Sequence, residues 1–313
     1  MPTTAGEVLT NYLAQQLAGL REQEPLVRQD LPDSVHQMRM SARRLRSLLA
    51  TGKKFFDDGA AVSEVRDELK WFSGVLGAAR DPEVIHQRLR DLLAQEPDAL
   101  VFGPVARQID EEMESASAAG RRAALEALDG DRYARLVERL QDLVTLAPLT
   151  GKAAREPRKA MLKLVAKDTA KVLRRVHELP DTPGSPPHGG LAPAGNAHDA
   201  GLHEVRKAAK RLRYAAEAAE PVAGKKAAKA AKRAHELQQV LGLHQDSVVA
   251  RTLLADLGSR APGNGVASGG GYGIDASSFT YGRLHAKEEA LAASAEASFW
   301  KAWKKFSRKQ AGG

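Results

Sequence analysis

Residues 36–46 read HQMRMSARRLR, and residues 203–213 read HEVRKAAKRLR. They align without a gap: His is followed by Arg three residues on, by Arg or Lys seven on, and by Arg-Leu-Arg at eight to ten. At about 100° per residue, His36, Arg39, Arg43, Arg46 and, two turns past them, Lys54 fall in one sector of a helix. Val35, Met38, Ala42, Leu45, Leu48 and Leu49 fall opposite. The second copy repeats this. His203, Arg206, Lys210 and Arg213 share a sector with Lys207 and Tyr214 at its border, while Leu202, Val205, Ala209 and Leu212 face away. Arg44 and Arg211 sit at the edges of the two stripes. Each stretch therefore predicts an amphipathic helix whose outer stripe is cationic.

A second motif follows each stretch in the same order. Val75-Leu76-Gly77 with Arg80-Asp81 matches Val240-Leu241-Gly242 with Gln245-Asp246. The His-to-Asp spacing is 45 residues in the first copy and 43 in the second. Two motifs recurring in order at nearly constant spacing indicate duplication of a unit of about 150 residues. The glycines follow apolar helical runs, where a left-handed C-terminal cap requires glycine. Asp81 precedes Pro82 as an N-cap precedes a first helical position, and Asp246 precedes Ser247-Val248-Val249 in the same way. The expectation is a tight helix-turn-helix corner at each motif, with Asp81 and Asp246 as caps or as partners of a nearby base.

The rest of the chain fits an all-α protein. Apolar residues recur at helical spacing, as in Val8, Tyr12, Leu13, Gln16, Leu17 and Leu20. Aromatic residues are only 5% of the 313, hydrophobic residues 43% and charged residues 27%, a balance that builds a folded core from helix formers. Segments at about 180–201 and 259–282 are rich in Gly and Pro and read as flexible loops. There is no cysteine, which excludes disulfides, thiolate metal sites and cysteine nucleophiles. No stretch approaches the ~18 apolar residues of a membrane span, so the expectation is a cytosolic protein with no membrane partner.

The net charge of +8 conceals strong segregation. Windows 34–56, 152–175, 201–233 and 299–313 together carry +25, leaving −17 on the remainder. Focused basic segments on an acidic body are the footprint of a polyanion binder. Arg39 and Arg43 are like charges four apart, as are Arg206 and Lys210; a solvated helix gains nothing from such pairs. The segment at 152–175 adds Lys159, Lys163, Lys167, Lys171 and Arg174 or Arg175 at helical spacing, a third stripe. Cations recurring about every 6 Å along an axis suit a flexible chain that carries charge on each unit. No paired carboxylates or metal-ligand set accompany the stripes, so neither catalysis, a metal nor a cofactor is expected. Nucleic acid is the rival ligand, but the stripes hold almost no aromatic residue to stack a base. The C-terminal Phe299, Trp300, Trp303 and Phe306 lie among lysines.

These residues and spacings resemble the CHAD family, the conserved histidine α-helical domains, across essentially the whole chain. The resemblance implies one domain over 1–313, built as pseudo-symmetric four-helix bundles from a first half, 1–150, and a second, 151–313. It implies basic faces meeting around a groove that binds inorganic polyphosphate, and association with polyphosphate granules. The implied binding residues are His36, Arg39, Arg43, Arg44, Arg46, Lys54, Arg80, Lys163, Lys167, His203, Arg206, Lys207, Lys210, Arg211 and Arg213. Gln245 stands where the first half has Arg80, so the halves are not expected to contribute equally. Glu22 and Glu24 begin a pattern seen in the triphosphate-tunnel domain that many relatives carry, but Leu26 stands where its Lys would be. The chain therefore reads as a stand-alone member.

Overall fold

A computed structural model of the chain describes residues 2–146, 148–180, 197–260 and 276–311. These form nine α-helices: α1 (Ala5–Arg28), α2 (Ser34–Gly52), α3 (Gly59–Leu93), α4 (Val105–Asp129), α5 (Asp131–Thr145), α6 (Pro157–His177), α7 (Ala197–Ala223), α8 (Lys225–Arg260) and α9 (Ala276–Ala311). No strand occurs among the described residues beyond one isolated bridge, Phe56 to Leu149. The all-α expectation holds. The two loops are shorter than their composition suggested, because residues 197–201, 259–260 and 276–282 are helical. Residues 181–196 and 261–275, with His188, lie outside the described residues.

Local chemistry sets the first helix. Thr4 accepts a hydrogen bond from the Glu7 amide at 3.2 Å, and the Glu7 carboxylate accepts one from the Thr3 amide at 2.7 Å. This reciprocal pairing satisfies orphan donors at the N-terminus. It also holds the Glu7 carboxyl below its ordinary pKa, the Thr3 backbone bond being the largest cause.

The expected corners are absent. α3 runs through Gly77, Asp81 and Pro82 without a break, and α8 runs through Gly242 and Asp246. Neither glycine has a positive φ; among the described glycines only Gly103 and Gly224 do. The physical reason is the buried stripe. Leu69, Phe72, Leu76 and Ala79 lead into Ile85, Leu89 and Leu92, all at most 7% exposed, so helical periodicity continues across the proline. Pro82 removes one helical hydrogen bond, a cost of about 3 kcal/mol in an isolated interior, and burial on both sides outweighs it. The carbonyl that loses its partner is that of Ala78, four residues back. Gly120 of α4 packs there: a Cβ on it would lie 2.1 Å from the Ala78 oxygen.

Contacts gather the chain into two compact units, residues 1–81, 116–174 and 207–235 in one, and 82–115, 175–206 and 236–313 in the other. Each draws on both sides of position 150, so the halves 1–150 and 151–313 divide the sequence but not the packing. In the first unit α1 lies against α2 and α5. Leu9, Leu13 and Leu20 of α1 and Met38, Leu45, Leu48 and Leu49 of α2 are at most 1% exposed. This is the apolar face read opposite the basic stripe, although Val35 at its margin is only half-buried. The second unit buries Ile85, Leu89, Val105, Ile109, Leu254 and Leu284 in one cluster.

Candidate polyanion-binding site

With Met38, Ala42 and Leu45 turned inward, α2 holds Arg39, Arg43 and Arg46 on its outer side, all half-buried. In α7, burial of Leu202, Val205, Ala209 and Leu212 does the same for His203, Arg206, Lys210 and Arg213, with Lys207 exposed.

The stripes are not uniformly free of acid, as their own sequence implied. Asp81 of α3 takes Arg39 in a bidentate pair, at 2.5 Å and 3.1 Å. Asp246 of α8 stands 3.9 Å from Arg206. Glu217, one turn beyond Arg213, accepts from its Nε at 2.6 Å, stands 3.8 Å from Arg44 and accepts from the Tyr12 hydroxyl. Arg211 donates to Asp168 of α6 at 2.8 Å and to Thr51 of α2 at 3.0 Å. Asp168 is almost fully buried, which makes Arg211 a tie between three helices before anything else. Asp81 and Asp246 thus serve as partners of bases, one of the two roles expected, and not as caps.

Both glycines of the second motif now have a reason. A Cβ on Gly77 would lie 3.2 Å from the Arg39 guanidinium, and one on Gly242 would lie 3.3 Å from that of Arg206. Each glycine lets an arginine lie flat across the neighbouring helix towards its aspartate.

What remains after pairing is more informative. Among the described residues Arg43, Arg46, Lys54, Lys163 and Lys167 have no carboxylate within ion-pair distance. Burial, the largest cause, lowers the Arg43 pKa from its ordinary value; Arg39 adds to this while Tyr214 and Asp81 act against it. Burial also lowers Arg46, helped by Arg43 and Arg66 and opposed by Asp67. For Lys54 burial comes first, and Lys163, Lys167, Lys152 and Arg155 all push the same way. Partly buried cations that repel one another raise the potential of a site above what exposed charges achieve, and an anion relieves the cost.

Arg66, Lys152 and Arg155 are thereby added to the residues expected from sequence. Arg66 has a buried Nε without a hydrogen-bond partner. Its signal was legible, since it stands eleven residues, about three turns, before Gly77 on the same face of α3. Arg80 makes further polar interactions, as do Lys207 and Lys210. His36 is half-exposed. His203 bonds Gln245 through Nδ1 at 2.6 Å. With Nδ1–H donating to that amide, Nε2 becomes a donor to an anion only when the ring is protonated.

Tyr214, placed at the stripe border from sequence, is 2% exposed and lies beneath Arg44 and Arg213 with 5.9 Å to each guanidinium carbon. The C-terminal aromatics divide: Phe299 and Phe306 are buried, Trp300 and Trp303 half-buried, and Lys301, Lys304 and Lys305 exposed. His198 is buried against Glu296 at 2.8 Å. No group of side chains able to hold a metal ion occurs among the described residues. No helix among them is long and apolar enough to cross a membrane.

Comparison with known proteins identifies this arrangement. The CHAD domain family matches residues 11–255. The chain belongs to the CHAD family. Two curated proteins from strains of Mycobacterium tuberculosis, the uncharacterized proteins MT2285 and Rv2226, are each 34% identical over 93% of this CHAD chain. The chain spans about half (51%) of their length. Among solved structures, PptA from Streptomyces chartreusis superposes with a TM-score of 0.78 at 25% identity, covering 96% of this chain and 99% of that one. The CHAD domain from the plant Ricinus communis gives 0.67 at 24% identity, covering 96% and 93%, and shares the fold.

Proposed function

We propose that this CHAD domain binds inorganic polyphosphate along α2, α6 and α7 and performs no chemistry on it. Membership of the family supports a polyphosphate-related role. The observation that carries the reading is the set Arg43, Arg46 and Lys54, partly buried cations depressed by burial and by like charge. Guanidinium forks bind phosphate oxygens in pairs while lysines follow a mobile chain as point charges. The recurrence of Arg, Gly and Asp in α2 with α3 and in α7 with α8 supports duplication into two pseudo-symmetric bundles. Asp81 and Asp246, the acids of the two repeated motifs, face Arg39 and Arg206, which supports a non-catalytic role. Association with polyphosphate granules belongs to the same reading.

Nucleic acid is the second reading, and burial of Tyr214 weighs against it, because no aromatic face of the stripes is left for a base. The test is binding of a labelled long polyphosphate across a salt series, with RNA as competitor at equal phosphate. Affinity is expected to fall steeply with salt and RNA to compete poorly. Arg43→Gln with Arg46→Gln should weaken binding by about tenfold or more, as loss of charge-assisted hydrogen bonds does. Gln at Lys301, Lys304 and Lys305 should change it by less than about twofold, as for exposed charges. Equal losses would mean diffuse attraction, and phosphate release from polyphosphate with magnesium would mean an enzyme.

A further inference from the structure

Resting on that reading, we propose that Lys54, Lys152, Arg155, Lys163 and Lys167 form a subsite for the terminal phosphate of the chain, distinct from the interior units held by Arg43 and Arg46. The cluster is a built site within one compact unit. The Lys53–Phe55 turn that ends α2 is tied to the segment before α6. The Thr150 amide donates to Phe55 O and its hydroxyl to Lys54 O, both at 2.9 Å. Phe56 bridges to Leu149, and the Asp57 amide donates to Pro148 O at 3.1 Å. The far side of that segment is fixed to α1, whose Ala5 and Gly6 amides donate to Arg155 O at 3.0 Å and Ala153 O at 2.8 Å. α6 is pinned beside α2 by the Thr51 hydroxyl donating to Asp168 at 2.8 Å. Lys54 lies one turn past Thr51, and Lys163 and Lys167 lie within about one and a half turns before Asp168, so the tie brings the end of α2 beside that stretch of α6.

Three nearby acids are engaged elsewhere. Asp58 caps α3 through the Ala60 and Ala61 amides at 2.9 Å, and Glu156 caps α6 through the Arg158 and Lys159 amides at 2.9 and 2.7 Å. Asp168 is committed to Arg211 and Thr51. Asp57 is exposed to solvent. No carboxylate ion-pairs with the five cations among the described residues.

Charge density distinguishes an end from a middle. An interior unit of polyphosphate carries one negative charge, and α2 offers it about one cation per helical turn. A terminal phosphate gains a second charge above a pKa near ~6. Five cations about the end of α2, where the 148–153 segment is tied to it, match the more highly charged group.

The probes are linear hexaphosphate, which has two ends, and cyclic hexametaphosphate, which has none. At pH 8 the wild-type protein should bind the linear form about tenfold more tightly. The preference should shrink towards pH 5.5 as the ends lose their second charge. Lys54→Gln with Lys163→Gln and Lys167→Gln should abolish the preference, the linear form losing about tenfold more affinity than the cyclic one, whereas Arg43→Gln with Arg46→Gln should weaken both probes and keep the preference. Lys54→Gln alone, melting no lower than the wild type, guards against misfolding of the triple variant. A preference that survives loss of the lysines overturns the terminal subsite while the groove stands; failure of the wild type to bind either probe or long polyphosphate overturns the groove as well.

Discussion

Gly77 is helical, yet its missing side chain matters most to a residue on another helix. Alanine there would gain up to about 1 kcal/mol of helix propensity but place a methyl 3.2 Å from the Arg39 guanidinium and 3.3 Å from Asp81. The arginine end can shift by a few tenths of an ångström, so Gly77→Ala is expected to melt no lower than wild type and to bind polyphosphate several-fold more weakly. Gly120 is the contrast, because its Cβ would strike the Ala78 backbone, which cannot give. Gly120→Ala should cost about 1–3 kcal/mol, in the range of overpacking. Thermal melts and fluorescence anisotropy on both variants check the pair; a Gly77→Ala melt that drops like that of Gly120→Ala would make Gly77 a packing residue only. Both motif glycines stood out in the sequence. Their reason did not, since the arginine each accommodates lies more than 30 residues away in the chain.

Among the elements, α6 is the one whose two faces do opposite work. Lys163 and Lys167 face solvent, while the next residue, Asp168, is 1% exposed and holds Arg211 of α7 and Thr51 of α2. Removing the carboxylate alone leaves a guanidinium without its counter-charge. Asp168→Ala is therefore expected to destabilise the protein by about 2–3 kcal/mol, at or below the range for buried pairs because Arg211 keeps some exposure. Leucine at both 168 and 211 should recover most of that loss, since hydrophobic replacement of a whole buried pair is nearly neutral. Chemical denaturation measures both, and equal losses in the single and double variants would assign the cost to something other than the orphaned charge. The third stripe was legible as lysines at helical spacing. That an acid within it would anchor the helix to α2 and α7 was not, because nothing in the local pattern shows which side of Asp168 is buried.

For the molecule as a whole, the same cations that bind make the free protein less stable. Lys54 titrates below its ordinary value of 10.5. Between its folded and unfolded pKa the unfolded chain therefore binds more protons, so stability rises with pH across that window. Lys54→Gln removes this dependence and should raise the melting temperature of the free protein while reducing the rise produced by polyphosphate. Differential scanning calorimetry at alkaline pH, with and without polyphosphate, decides it; a lower melting temperature of the free variant would refute the strain. The sequence by itself determined the helical class, the two copies of the basic stripe and its apolar reverse, because periodicity and charge segregation are local. Tertiary structure decided which cations are spent and which are free. Asp81, Asp168 and Glu217 reach Arg39, Thr51 and Tyr12 from 42, 117 and 205 residues away, and pairing at such separations depends on packing that no window of sequence contains. It also decided that α3 and α8 run straight through their motifs. A proline or glycine read locally argues for a break, and only burial of the stripe on both sides of it shows that the helix gains more by continuing.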